Sequence, residues 1–210
     1  IVRTEVWNLK FLLKTTWIHS INSIMAVPSK YMQSVIKAAK GRPKSTEWFK
    51  DKIAEFGTPK AMNLIRDGKQ ASRPFFGNLN MFFYDPKFKK TLPYYDRFPL
   101  VLPIERYSDG FLGINLHYLP IPLRIRLLDE LMDYSTDTNF DSKTKINTNY
   151  QKLKRVKLIK PTLKRYLAGK VKSRFRKIDG DEFTVATLLP VQRFTKTSAA
   201  KVWNDSRSMI

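Results

Sequence analysis

Between Ser142 and Ile178 the chain carries fourteen basic residues and no acidic one. Like charges at that density cannot form a core, so they must lie on a surface or meet a partner of opposite sign. Leu153, Val156, Leu163, Tyr166, Leu167, Val171 and Phe175 interleave with the cations. The segment therefore has to sort two kinds of side chain onto two faces. A helix from Thr162 does this, with Leu163, Leu167, Val171 and Phe175 on one stripe. Five of the 18 acids, Asp129, Glu130, Asp133, Asp137 and Asp141, gather just before the basic stretch. The whole chain has 39 Lys and Arg, and its net charge is +21. Such a charge points to nucleic acid, an anionic membrane surface or acidic protein neighbours.

Composition removes several classes. The 210 residues, 42% of them hydrophobic, can bury a core as one domain or two small ones. The absence of cysteine excludes a disulfide framework, a zinc ribbon and a thiol nucleophile. Two histidines, His19 and His117, are too few for a histidine-based metal site. The longest apolar stretch, Phe11 to Val27, is interrupted by Lys14 and His19. It reads as an amphipathic helix, and no membrane span is expected. No intact signal peptide is visible.

The fold class read from the chain is α+β. Residues 1–70 form a helical N-terminal docking segment, and residues 71–210 form an α+β core with a basic C-terminal region. In the first part, Trp7, Phe11, Ile18, Ile21 and Met25 recur at helical spacing up to Pro28. Ser29 caps a second helix with Met32, Val35, Ile36 and Ala39 on one face, stopped by Gly41 and Pro43. Ser45 caps a third that buries Trp48, Phe49, Ile53 and Phe56 and ends at Gly57. Thr58-Pro59 opens a fourth, closed by Gly68. In the middle, Asn80 to Tyr84, Leu100 to Tyr107 and Phe111 to Leu119 read as a small antiparallel sheet or barrel. Asp109-Gly110 is its hairpin signal, since a type I′ turn needs two positive φ angles. Pro103 makes the preceding strand an edge or a bulged one. Leu123 to Tyr134 is a helix with Ile125, Leu128, Leu131 and Met132 inward. The basic C-terminal part is read as helical, and Ser198 to Ser206 as a terminal helix that buries Trp203.

The residues expected to meet nucleic acid or another polyanion are Lys152, Lys154, Arg155, Lys157, Lys160, Lys164, Arg165, Lys170, Lys172, Arg174, Arg176 and Lys177. No base-reading motif accompanies them, so contact would fall on the phosphate backbone. The aromatics Phe82, Phe83, Tyr84, Tyr94, Tyr95 and Phe98 are stacking candidates, with core and turn packing the plainer reading. Asp129 and Asp133 stand one helical turn apart, as a metal site could use, yet neither histidine nor a Glu-x-Lys pair joins them. An exposed helix end is the plainer reading there. His117 reads as a structural histidine. No catalytic residue, cofactor or metal site is expected.

Three phrases stand out as a set: Asn80-Met81-Phe82-Phe83-Tyr84-Asp85-Pro86-Lys87, Leu92-Pro93-Tyr94-Tyr95-Asp96-Arg97-Phe98-Pro99-Leu100-Val101, and Gly110-Phe111-Leu112-Gly113-Ile114-Asn115-Leu116-His117-Tyr118-Leu119-Pro120. Leu189-Pro190-Val191-Gln192-Arg193-Phe194 and Trp203-Asn204-Asp205-Ser206-Arg207 join them. Together they resemble a virion protein of T-even-type contractile-tailed phages, best matched by the DNA-end protector family. The resemblance covers Phe75 to Ile210 and does not reach the first 70 residues. It implies a non-enzymatic virion protein, assembled in the host cytoplasm, that binds DNA ends or the head-to-tail connector region. The partners implied are other phage virion proteins (portal, neck, tail or baseplate) and double-stranded DNA. The second reading is a tail or baseplate component whose cations face acidic protein neighbours without DNA. The weakest is a metal-dependent nuclease built on the Asp129 to Asp141 cluster.

Overall fold

Helix punctuation in the first part follows from its caps. The computed structural model describes residues 31–210 except 41, 43 and 137–140. The helix expected up to Pro28, and Ser29, Gly41, Pro43 and Asp137, lie outside those residues. Helix α1 (Tyr31–Ala38) buries Tyr31, Met32 and Val35. Helix α2 (Thr46–Phe56) starts where the Ser45 hydroxyl accepts the Trp48 N–H at 3.2 Å, and ends at Gly57 with φ of 73°. Only Ile53 of its expected face is fully buried, and Phe56 remains 45% exposed. Helix α3 (Ala61–Arg66) begins two residues later than its proline signal, after Lys60, whose backbone is extended, and Pro59 is buried.

A six-stranded antiparallel sheet follows, in the order β1-β7-β2-β4-β5-β6. Its strands are β1 (Gln70–Ala71), β2 (Leu79–Met81), β4 (Leu100–Tyr107), β5 (Gly110–Asn115), β6 (Leu163–Leu167) and β7 (Phe175–Ile178). The sheet is open and does not close into a barrel. Strand β3 (Tyr95–Asp96) pairs separately with β8 (Phe194–Thr195). The hairpin between β4 and β5 forms, one residue earlier than the Asp-Gly signal. Tyr107 pairs with Gly110, so Ser108 and Asp109 make the turn, and neither has a positive φ. Gly110 is needed for another reason: a side chain there would collide with the Tyr166 carbonyl on β6. Pro103 sits at a bulge between Pro103 and Glu105, inside the sheet.

The helix expected from Thr162 does not form. Leu163–Leu167 is a strand paired with β5, and Phe175–Ile178 a strand between β1 and β2. The described basic region keeps only short helices, α5 (Tyr150–Leu153) and α6 (Ile159–Thr162). Leu163, Leu167, Val171 and Phe175 therefore share no helical stripe. Backbone pairing across the sheet outweighs their four-residue spacing, which is a weak signal in a segment this short.

The sheet carries a core on each face. Leu100, Leu102 and Ile114 point to the main one, closed by α1 to α3, α4 (Ile121–Met132) and α7 (Phe183–Leu188). Helix α4 buries Leu127, Leu128 and Leu131, and also Arg124. On the opposite face Phe82, Tyr84, Val101, Phe111, Tyr166 and Phe175 form an aromatic cluster. Phe111 and Tyr166 stack at 5.2 Å, and Phe82 meets Tyr166 edge-on at 5.3 Å. Each such pair adds about 0.5–1.5 kcal/mol beyond area burial. Helix α8 (Ala199–Arg207) is capped by Ser198, as its sequence indicates, and Trp203 donates from Nε1 to the His117 carbonyl at 3.0 Å.

Candidate nucleic-acid interface

The basic stretch divides by what its apolar neighbours force. Around α5 and α6, Leu153, Leu158 and Ile159 are buried, which turns Lys152, Lys154, Arg155, Lys157 and Lys160 outward. Asn149 caps α5 by accepting the Lys152 N–H at 3.1 Å. Among the described residues no carboxylate comes within 4.0 Å of these five cations. Lys154 donates to the Gln151 side chain at 3.1 Å.

Several of the others are engaged. Arg165 pairs with Asp109 and stacks over the Tyr107 ring at 4.2 Å. Lys177 pairs with Asp179. Arg176 is turned into the main core, where its Nη2 donates to both Glu182 oxygens at 3.0 and 3.1 Å. Burial pushes the Glu182 carboxyl up and Arg176 pulls it back. Lys170 is half-buried, and Lys172 and Arg174 are exposed.

Three clefts run along this side and share walls. The central one, about 530 Å³, is lined by Tyr84, Phe88, Tyr94, Tyr95 and Tyr118 with Lys87, Lys164 and Arg165. Leu163 and Met209 also belong to a neighbouring cleft of about 480 Å³, lined by Lys154, Arg155, Lys157 and Lys160. Tyr84 and Tyr95 also belong to the third, about 530 Å³, where Lys89, Arg97 and Lys172 converge. Ten cations line the three clefts against two carboxylates, Asp85 and Asp96. Lys89 bonds Asp85 at 3.0 Å and holds its carboxyl below the ordinary value. A fourth cleft of about 520 Å³ places Arg73, Arg106 and Arg174 beside Ser72, Ser108 and Ser173. So strong an excess of cations suits a chain of phosphates.

A buried polar network fixes the wall of the central cleft. Asp96 Oδ1 accepts the N–H groups of Phe98 and Arg193, each at 3.0 Å. Its Oδ2 lies 2.7 Å from His117 Nδ1. Burial alone would raise the Asp96 carboxyl, but His117 and those N–H groups hold it below the ordinary value. His117 is thus structural, and Tyr118 beside it forms the cleft wall. Lys164 Nζ sits 4.1 Å over the Tyr118 ring, and burial pulls its ammonium down to about 8.

The aromatic block splits. Phe82 and Phe98 are fully buried, whereas Tyr94 and Tyr95 face the cleft half-exposed. Lys87 and Lys89 also line the clefts, as the run Lys87-Phe88-Lys89-Lys90 advertises, and so does Arg97, which has no such local signal; none of the three is among the cations expected from the sequence. The sequence reading also missed Phe88 and Tyr118 as cleft residues. Among the described residues no three His, Asp or Glu side chains converge as a metal site would require. Nor, among them, is any helix long and apolar enough to cross a membrane.

The family model described as "Phage T4 terminal DNA protecting protein" matches residues 14–206, so the likeness runs through the helical first part as well. No curated protein and no solved structure matches the chain.

Proposed function

The chain belongs to the family of phage T4 terminal DNA protecting proteins, and from that premise we propose that it binds the ends of phage DNA without catalysing a reaction on them. The observation that carries this is the row Lys154, Arg155, Lys157 and Lys160, which opens onto the shared clefts with no carboxylate within 4.0 Å among the described residues. Cations with no carboxylate partner are free to replace the counterions of a duplex backbone. Lys172 and Arg97 extend the row at the other end, beside Lys89, which is held by Asp85. Arg176, enclosed in the core, belongs to the scaffold and not to the grip. With phosphates as the target, binding reads little sequence.

The test is fluorescence anisotropy of a blunt-ended duplex titrated across salt. Affinity falls steeply, by a log–log slope of about 0.9 per phosphate contacted. Replacing Lys154, Arg155, Lys157 and Lys160 with Gln lowers that slope by roughly 3 to 4. Binding that ignores salt would refute the proposal.

A second role, docking on other virion proteins in the assembled particle, is favoured by Phe56 and Met62 of the helical segment. They stay 45% and 49% exposed, whereas Tyr31, Met32, Val35, Ile53, Leu64 and Ile65 pack into the main core.

A further inference from the structure

We propose that the central aromatic cleft receives the base of an unpaired terminal nucleotide, which would make the protein a reader of frayed or overhanging ends. This rests on the DNA-end reading and deepens it.

The lining decides the class of occupant. A phosphate needs cations and N–H donors, and the neighbouring clefts supply those. Here the open walls are the rings of Tyr94, Tyr95 and Phe88, with the buried Tyr118 behind them, and every nucleobase offers a flat face to rings of this kind. Phe88 stands at the cleft 61% exposed, a large apolar surface left in water. A volume of about 530 Å³ falls within the usual range for small-molecule sites. Lys164 reaches over the Tyr118 ring, and no carboxylate within 4.0 Å balances it among the described residues. Burial has lowered its proton affinity, and an arriving phosphate would restore it.

The arrangement of the three clefts supports the same occupant. A strand crossing them meets cations first, then rings, then cations again, which is how single strands are held with bases stacked and phosphates on the rim. Paired bases inside a duplex keep their faces covered by their neighbours. Only at a terminus can one leave the stack cheaply. Phosphate contacts alone would not distinguish an end from the interior, whereas a base pocket does.

The experiment uses the full chain and short duplexes with one unpaired 2-aminopurine at the 3′ or the 5′ terminus. A blunt duplex with the same base paired internally is the control. The expected result is quenching of the unpaired base by ring stacking, with affinity for one or both overhang duplexes roughly five- to a hundredfold above the blunt duplex. Phe88→Leu, an exposed position whose change keeps the apolar volume, cuts that advantage and the quenching together. Tyr95→Leu gives a second, independent reading. Equal affinity for blunt and overhang duplexes, with unchanged fluorescence, overturns the inference while leaving DNA-end binding in place. An apolar side chain of a protein neighbour would then be the better occupant. Failure to bind any of the duplexes overturns the DNA-end reading and the pocket with it.

Discussion

Replacing Arg176 with Met separates the scaffold from the interface. Arg176 is 1% exposed, and its Nη2 donates twice to Glu182, itself 4% exposed. Methionine keeps the apolar length but leaves the carboxylate without its cation. Removing one partner of a buried ion pair costs about 3–5 kcal/mol. Glu182 retains two neutral donors, the Asp179 N–H at 3.2 Å and Gln33 Nε2 at 3.3 Å, which places the cost near the low end, about 3 kcal/mol. For a chain of this length that lowers Tm by roughly 6–12 °C. The pH dependence gives an independent check. Burial raises the Glu182 carboxyl in the folded state, and without Arg176 it rises further. A raised carboxyl binds a proton that the unfolded chain releases, so stability is lost as pH climbs above the ordinary Glu value. The deficit of Arg176→Met is therefore smaller at about pH 5 than at about pH 8. Circular-dichroism melts and urea titrations at both pH values measure it, beside the salt slope of duplex binding. A variant as stable as the parent whose salt slope drops by about one would refute this placement, since Arg176 would then be neutralising a phosphate.

Three further changes have defined outcomes. Gly110→Ala drives a methyl group into the Tyr166 carbonyl, a backbone atom that cannot rotate away, and should cost about 1–3 kcal/mol in urea unfolding. Asp96→Ala strands the Phe98 and Arg193 N–H groups and His117, costing about 3 kcal/mol or more, read as a loss of Tm. Because the Asp96 carboxyl is held low, its contribution is present above the unfolded value and is lost on acidification, so the gap between parent and variant narrows towards pH values below about 4. With Lys164 titrating near 8, the central cleft loses a charge as pH rises from about 7 to about 9. Burial raises the Tyr94 and Tyr118 hydroxyls, so both stay neutral across that interval. Because an arriving phosphate restores the Lys164 proton, duplex binding takes one up, so affinity should weaken by at most about tenfold per pH unit above about 8, and Lys164→Arg should abolish the change.

Local signals in the chain were read correctly where the structure keeps them local. Ser45 and Ser198 cap the helices they precede, since a hydroxyl meeting an N–H three residues on needs nothing from elsewhere. The Asp109-Gly110 hairpin forms with its turn displaced, because the glycine serves β6, a neighbour more than fifty residues away in the chain. Leu163 to Phe175 reads as helix by spacing, but its partners, β5, β1 and β2, are named by no local pattern. The basic stretch was legible as one feature, while its division was not. Arg176 finds Glu182, and Arg165 finds Asp109, both outside the acid-free window. The cleft joins Tyr94, Tyr118, Lys164 and Met209, four segments that only the fold brings together.

Recognition of ends is tested most directly by competition between a linear duplex and the same DNA closed into a circle. Salt is set high enough to release most non-specific phosphate contacts, and exonuclease digestion of a labelled linear duplex is followed. An end-binding protein halts digestion at near-stoichiometric ratios to ends, and linear competitor relieves protection in proportion to its ends while the circle does not. A circle that competes as well as linear DNA, nucleotide for nucleotide, or digestion that proceeds unslowed, would contradict recognition of ends.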